Sequence, residues 1–281
     1  MRRSLPLLPL TALLVSALVF GWSQQRLSTL RQESADPELL IVLPRFAQVL
    51  LAGGDRYLAA NLAGFRVLVA ETQYMKASDY AVQAKLQRDI AWFNPLHEDN
   101  YYIAAALLPW NGELDAAQYV LRRASAARRF DWYPLFHYGF LFYHFHRDPA
   151  TGAKHLLEAV PRVNNVQDQW ALQNVAAIWI EKGYQTGNAA TMVEAMAEDS
   201  PAGNFRNYLR VRAQRLRDLE RLQGAAGAYR ERFGRQPERL DDLVSAGLLP
   251  AIPQDSLGMG FSLDASGTPV LNANPPVEPP R

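Results

Sequence analysis

The first apolar block, Leu5 to Trp22, is interrupted only by Pro6, Pro9 and small or mildly polar residues, and it follows Arg2 and Arg3. Its 18 residues are about what a helix needs to cross a bilayer core of roughly 30 Å. The leading arginines favour a cytoplasmic N-terminus. The exit ALVFGWSQQ places Val19, Phe20 and Trp22 where a cleavage site wants small side chains. The block therefore predicts an uncleaved signal anchor: one transmembrane helix, with the bulk of the chain outside the cytoplasm. A polar, helix-compatible link follows from Ser23 to Asp36. From Leu39 to about Phe233 apolar residues return at intervals of three and four, punctuated by Asp and Asn caps and by Gly and Pro breaks, which predicts helices throughout.

A longer period lies over the short one. Val67, Tyr101, Phe136 and Leu172 are spaced by 34, 35 and 36, and Tyr74, Leu108, Tyr143 and Trp179 repeat those intervals. In the second half of each unit Ala117 aligns with Gly152, Leu121 with Leu156 and Met192, and Ala124 with Ala159 and Ala195. Large apolar residues seven apart share one face of a first helix, while small residues seven apart let a second helix pack closely. Each unit is thus expected to be a helical hairpin, with turns at WNGELD, HRDPAT and GYQTGN.

The period, the large and small columns and Phe93-Asn94-Pro95 resemble the tetratricopeptide repeat over about Gly64 to Pro201. The first unit departs from it, with Gln83 and Gln87 where a small and a large apolar residue are expected, as in an atypical end unit. An amphipathic segment rich in arginine begins at Phe205, and Arg212, Arg215, Arg217 and Arg221 read as a solvated face diluted by Asp218, Glu220 and Glu231. A helix stop at Gly234, a short helix from Pro237 to Ala246 and a small hairpin around Gly267 follow. That ordering resembles the C-terminal segment of type II secretion pseudopilins and the tail of uncharacterised membrane-anchored bacterial repeat proteins, a group that Ala52 to Glu71 also resembles. Such pseudopilins can hold calcium there. Here only Asp255 and Asp264 offer carboxylates, so no metal is carried over.

Composition narrows the function classes. At 281 residues and 49% hydrophobic, the chain can bury a sizeable core. With 29 Lys and Arg against 28 Asp and Glu, the net charge of +1 gives no pull towards nucleic acid. The absence of cysteine removes disulfides, thiol nucleophiles and cysteine-ligated metals. Three of five histidines fall in YPLFHYGFLFYHFHRD. His137 and His144 share a helix face two turns apart, roughly 10 Å along the axis, and His146 points elsewhere, so no common ion is expected. No GxSxG elbow or HExxH pattern is present.

The expected architecture is all-α: a right-handed superhelix of tetratricopeptide-like hairpins, with an N-terminal membrane helix and a small C-terminal α+β cap. Taken with the resemblance to bacterial proteins, it implies a single pass through a bacterial inner membrane, the bulk of the chain periplasmic. The divisions are 1–36 for the anchor and link, 37–204 for the repeats, 205–271 for the long helix and cap, and 272–281 for a disordered tail. First helices would line a groove, which makes Lys76, Tyr102, Trp110, His137, His144, Gln173 and Glu181 the candidate partner-binding residues. The expected function is a non-catalytic, membrane-anchored scaffold that takes protein partners in an envelope assembly such as secretion, pilus or polysaccharide export, without cofactor or metal. A hydrolase or glycan-modifying enzyme using the concave face and a permanent structural subunit are the alternatives, and the oligomeric state is open.

Overall fold

The computed structural model describes residues 7–29, 41–70 and 75–272. They form twelve α-helices and one two-stranded sheet, so the chain is predominantly helical. Tyr74, the second half of the expected link (30–36) and nearly all of the expected tail lie outside the described residues.

Helix α1 (Leu7–Thr29) holds much of the expected anchor. Among the described residues no helix is long and apolar enough to cross a membrane. The expectations of a transmembrane signal anchor and of a single-pass inner-membrane protein facing the periplasm are thereby overturned. The physical reason is the helix's polar end: Ser23, Gln24, Gln25 and Arg26 occupy its last turns. Only Leu7 to Trp22 remains apolar, about 24 Å at 1.5 Å per residue against a core of roughly 30 Å.

The body begins with α2 (Arg45–Leu51) and α3 (Arg56–Leu68), then continues through α4 (Ala77–Phe93), α5 (Glu98–Leu107), α6 (Leu114–Ala127), α7 (Tyr133–His144), α8 (Pro149–Ala159), α9 (Val166–Gly183) and α10 (Thr186–Asp199). Helices α3 with α4, α5 with α6, α7 with α8 and α9 with α10 pack as consecutive pairs. Neighbouring pairs meet through α4 on α6, α6 on α7 and α8 on α9. Local chemistry sets the ends. Asp55 accepts from the Tyr57 and Leu58 N–H groups at the start of α3, Asp148 caps α8, and Gly112 turns the chain at φ 84°. Helix α5 starts at His97-Glu98-Asp99, where acidic side chains suit the positive end of the helix dipole.

Most of the column residues are interior. Val67, Tyr101, Leu108, Leu172 and Trp179 are buried, and Trp179 stacks on the half-buried Tyr143 at 4.5 Å. Each fully buried leucine such as Leu108, Leu121 or Leu156 stabilises the fold by about 1.5–3 kcal/mol. Gly139 and Gly152 bring α7 and α8 together: a Cβ on Gly139 would lie 2.8 Å from the Gly152 carbonyl oxygen. In α10 the register differs from the expected one. Ala189, Val193 and Met196 are buried and Ala195 is exposed. Counted from the columns, α10 starts seven residues after Trp179 whereas α8 starts six after Tyr143, which shifts the second helix of that unit by one position.

The α3–α4–α5 region has an unusual interior. Gln83 and Gln87 are fully buried in α4, and their four side-chain polar atoms, with His97 Nδ1 and Asn100 Oδ1, have no hydrogen-bond partner. The Asn100 amide reaches the Gln87 carbonyl at 3.0 Å. Where tetratricopeptide-like pairs would interlock apolar side chains, this layer holds bare amides.

Helix α11 (Asn204–Phe233) runs along α10 and ends on Gly234 at φ 68°. Its last turns pack Leu222, Ala226 and Tyr229 against Leu243 of the short α12 (Asp241–Ser245). Strands β1 (Phe261–Leu263) and β2 (Pro269–Leu271) then pair antiparallel around Gly267. The solvated-face reading of the arginines fails for two of them. Arg212 and Arg215 are buried, Arg212 held by Glu181 and Arg215 by Asp255 at 2.9 Å. Arg217 pairs with Glu194 and Arg221 with Asp218 nearer the surface. Asp255 and Asp264 are both occupied in organising turns: Asp255 accepts from the Leu257, Met259 and Gly260 N–H groups, Asp264 from Ser266 and Thr268.

Candidate functional site

Side chains of helices α5 and α7 bring aromatic rings together on one face. Tyr102 meets Tyr133 at 5.8 Å and His137 at 6.1 Å, and Tyr133 in turn stacks on His137 at 6.4 Å. Two turns along α7, His144 stacks on Phe140 at 5.4 Å and meets Trp110 at 4.9 Å, with Trp110 also against Phe145. The two ring clusters follow from sequence spacing: 137 and 144 share a helical face, and Trp110 sits in the 3-10 turn that closes α5. Tyr102, Tyr133 and Trp110 remain exposed at 37%, 40% and 57%. The face is therefore aromatic, wet on one side and backed by packed core on the other.

Beneath its Tyr102 end lies a polar knot. Asp131 accepts from the Tyr101 hydroxyl at 2.8 Å, from Arg128 Nε at 2.9 Å and from the Tyr133 N–H at 3.0 Å. Arg128 also donates to the Leu96 carbonyl and to Glu98, and Arg162 donates to the Ser125 carbonyl. Burial pushes the Tyr101 hydroxyl far up, and hydrogen bonding to Tyr102 and Asp131 adds to it. Burial alone would lower Arg128, but Asp131 and Glu98 outweigh it and hold the guanidinium charged. Burial lowers the His137 pKa, with the Asp131 charge opposing, so the ring is neutral at pH 7 and behaves as an aromatic surface. A shallow cavity of about 370 Å3 opens beside this knot, lined by Tyr102, Phe130, Tyr133, Arg128, Arg162 and Asp168.

Four of the seven expected binding residues thus come together: Tyr102, Trp110, His137 and His144. The remaining three are placed differently. Lys76 is exposed ahead of α4, its N–H donating to Asp79, and Gln173 is half-buried on α9. Glu181 accepts both arms of the Arg212 guanidinium and is nearly buried, which makes it a structural anchor between α9 and α11. That ion pair borders a second cleft, about 660 Å3, between α9, α11 and β2, whose walls include Lys182, Tyr208, Leu219 and Leu271. Sequence reasoning passed over Tyr133 and Phe130 on the aromatic face. The signal available was Tyr133-Pro134, a proline at the start of a helix next to a tyrosine four residues from His137.

The exposed rings of Tyr102, Tyr133 and Trp110 offer flat apolar surfaces with polar edges. Among the described residues no group of three or more His, Asp or Glu side chains could hold a metal ion. His146 pairs with Gln118 at 2.8 Å and His155 with Glu158 at 3.1 Å, and both rings pack on Phe142. Rings of this kind recognise apolar and extended protein segments by stacking and by large contact area at little cost in side-chain freedom. Compared with known proteins, the chain matches no family model, no curated protein and no solved structure.

Proposed function

We propose that this protein is a non-catalytic scaffold whose helical hairpins stack as a right-handed, tetratricopeptide-like superhelix and bind a protein segment across the first helices. The supporting observation is the exposed ring face of α5 and α7, in which Tyr102, Tyr133, His137, His144 and Trp110 form two adjacent clusters on a rigid backing. The consecutive pairing of α3 to α10 and the 34 to 36 residue column spacing support the superhelix. Half-exposed aromatic anchors on packed helices are the groups that dominate protein recognition.

The test is capture of partners from the native cell by the full chain, followed by the triple variant Tyr102→Ala, His137→Ala, His144→Ala. Loss of about 2 kcal/mol or more in affinity for the captured partner is expected. An unchanged set of partners at unchanged affinity refutes the groove, provided the variant keeps its helical circular dichroism.

A further inference from the structure

The second cleft, between α9, α11 and β2, is a slot with fixed walls. Gln223 of α11 donates to the Pro269 carbonyl at 3.1 Å, and Arg215 donates to the Asn272 carbonyl at 3.0 Å. Those two bonds pin both ends of β2 to α11. Thr186, at the start of α10, donates to Gln223 at 2.8 Å and holds that side chain in place. The space left is about 660 Å3, within the roughly 300–1,000 Å3 of small-molecule sites. Its floor is Leu216 and Leu219, both buried, and its sides include the half-buried Ile178, Met259 and Leu271. Charge in these walls is balanced at every position but one. Both arms of Arg212 are taken by Glu181, and Arg215 Nε donates to Asp255 at 2.9 Å. Among the described residues Lys182 has no carboxylate partner. Its ammonium donates to the Tyr143 hydroxyl at 2.8 Å and keeps two further N–H groups to give.

We infer that this cleft binds a small carboxylic acid with an unbranched apolar chain, its carboxylate on Lys182 and its chain along Leu216 and Leu219. Three observations select that class. The one unmatched charge in the walls is a cation, so a single negative charge completes the site with a charge-assisted hydrogen bond. The other polar groups spend their bonds inside the protein: the Tyr208 hydroxyl donates to Asn174 and accepts from Arg212, and the Gln223 amide is engaged at both ends. Nothing in the interior therefore rewards a polar chain. Apolar side chains come from α9, α11 and β2 alike, so an acyl chain meets apolar surface on three sides. A protein backbone in the same place would bring N–H and C=O groups to walls that have no partners for them.

Isothermal titration of the full chain with octanoate should show saturable binding. Decanoate should bind about tenfold more tightly than octanoate, since each buried CH2 group adds a similar increment. Octanol and octylamine should bind about tenfold more weakly than octanoate, having no negative charge for Lys182. Lys182→Gln should weaken octanoate about tenfold and leave octanol unchanged. Met259→Trp, which fills the slot, should remove binding while the helical circular dichroism stays. Equal affinity for octanoate and octylamine overturns the inference, as does an affinity indifferent to chain length or to Met259→Trp. So does the absence of saturable binding at millimolar octanoate. The chain ended after Asn272 should bind octanoate as the full chain does. Binding seen only in that shortened chain overturns the inference, because residues 273–281 would then be what the cleft holds. The ring face of α5 and α7 enters none of these readouts, so the scaffold reading stands or falls separately.

Discussion

At the scale of single residues, the least expected feature is the pair of glutamines in α4. A buried polar group without a partner costs about 1–3 kcal/mol of stability, and Gln83 and Gln87 each bury both ends of an amide unpaired. Gln87→Leu keeps the volume and removes the desolvated amide, so it should raise the unfolding free energy by about 1–3 kcal/mol, read as a shift in urea midpoint at constant slope. Gln83→Met should behave alike. The sequence pattern marked both positions as anomalous, but only the packing shows that their amides meet nothing polar. His137 makes the second residue-scale prediction. Burial lowers its pKa below the ordinary 6.5, partly offset by Asp131. The unfolded chain therefore binds the proton first as pH falls. Stability should be level above neutrality, decline as pH drops through about 6.5 and stop declining once the folded ring also protonates. His137→Gln should flatten the loss between pH 7.5 and 5. His97, whose pKa burial also lowers against the opposing Asp99 charge, should account for the slope that remains. An unaltered slope in His137→Gln would contradict the assignment.

At the scale of elements, helix pairs were legible because their spacing is carried by bulk: Tyr101, Leu108, Leu172 and Trp179 recur at fixed distance and are all buried. The one-residue slip in α10 was not. Ala195 and Met196 have equal claim to a column, and only the start of α10, seven residues past Trp179, decides which faces inward. Placement matters here because the approach of α8 and α9 is tight. Gly183, the last residue of α9, sits where a Cβ would come within 2.5 Å of the Ala150 backbone nitrogen at the start of α8. No rotamer change relieves a backbone clash. Gly183→Ala should therefore destabilise by about 2 kcal/mol or more, despite alanine's better helix propensity, and lower the thermal midpoint accordingly. A neutral or stabilising result would show that α8 and α9 can slide apart.

At the scale of the whole molecule, what the sequence conceals is long-range pairing. Arg212 and Arg215 look like neighbours on a charged helix face, yet their partners are Glu181 and Asp255, one before and one after α11. Burying two guanidinium groups is tolerable only because each meets a carboxylate in good geometry, and nothing local in the sequence announces that. The ring face was half legible. His137 and His144 share a side by simple helical arithmetic, and Trp110 and Tyr102 were on the neighbouring unit, whereas Glu181 was diverted by an arginine 31 residues away. The apolar start of the chain illustrates the opposite error: its length in sequence suggested a span, and the polar final turns of α1 leave it short.

The contrast between the glycine-tight middle and the amide layer near the N-terminal end has a mechanical consequence. Where Gly139 and Gly152 touch backbone to backbone, the helices have no slack to yield. Between α4 and α5 the interface gives up little when it parts, because its amides gain water as they separate. A chain under tension would open first at the α4 and α5 layer, with the contact of α4 on α6 holding the α3 and α4 pair until last. Loss of that one hairpin would leave the rings of α5 and α7 in place.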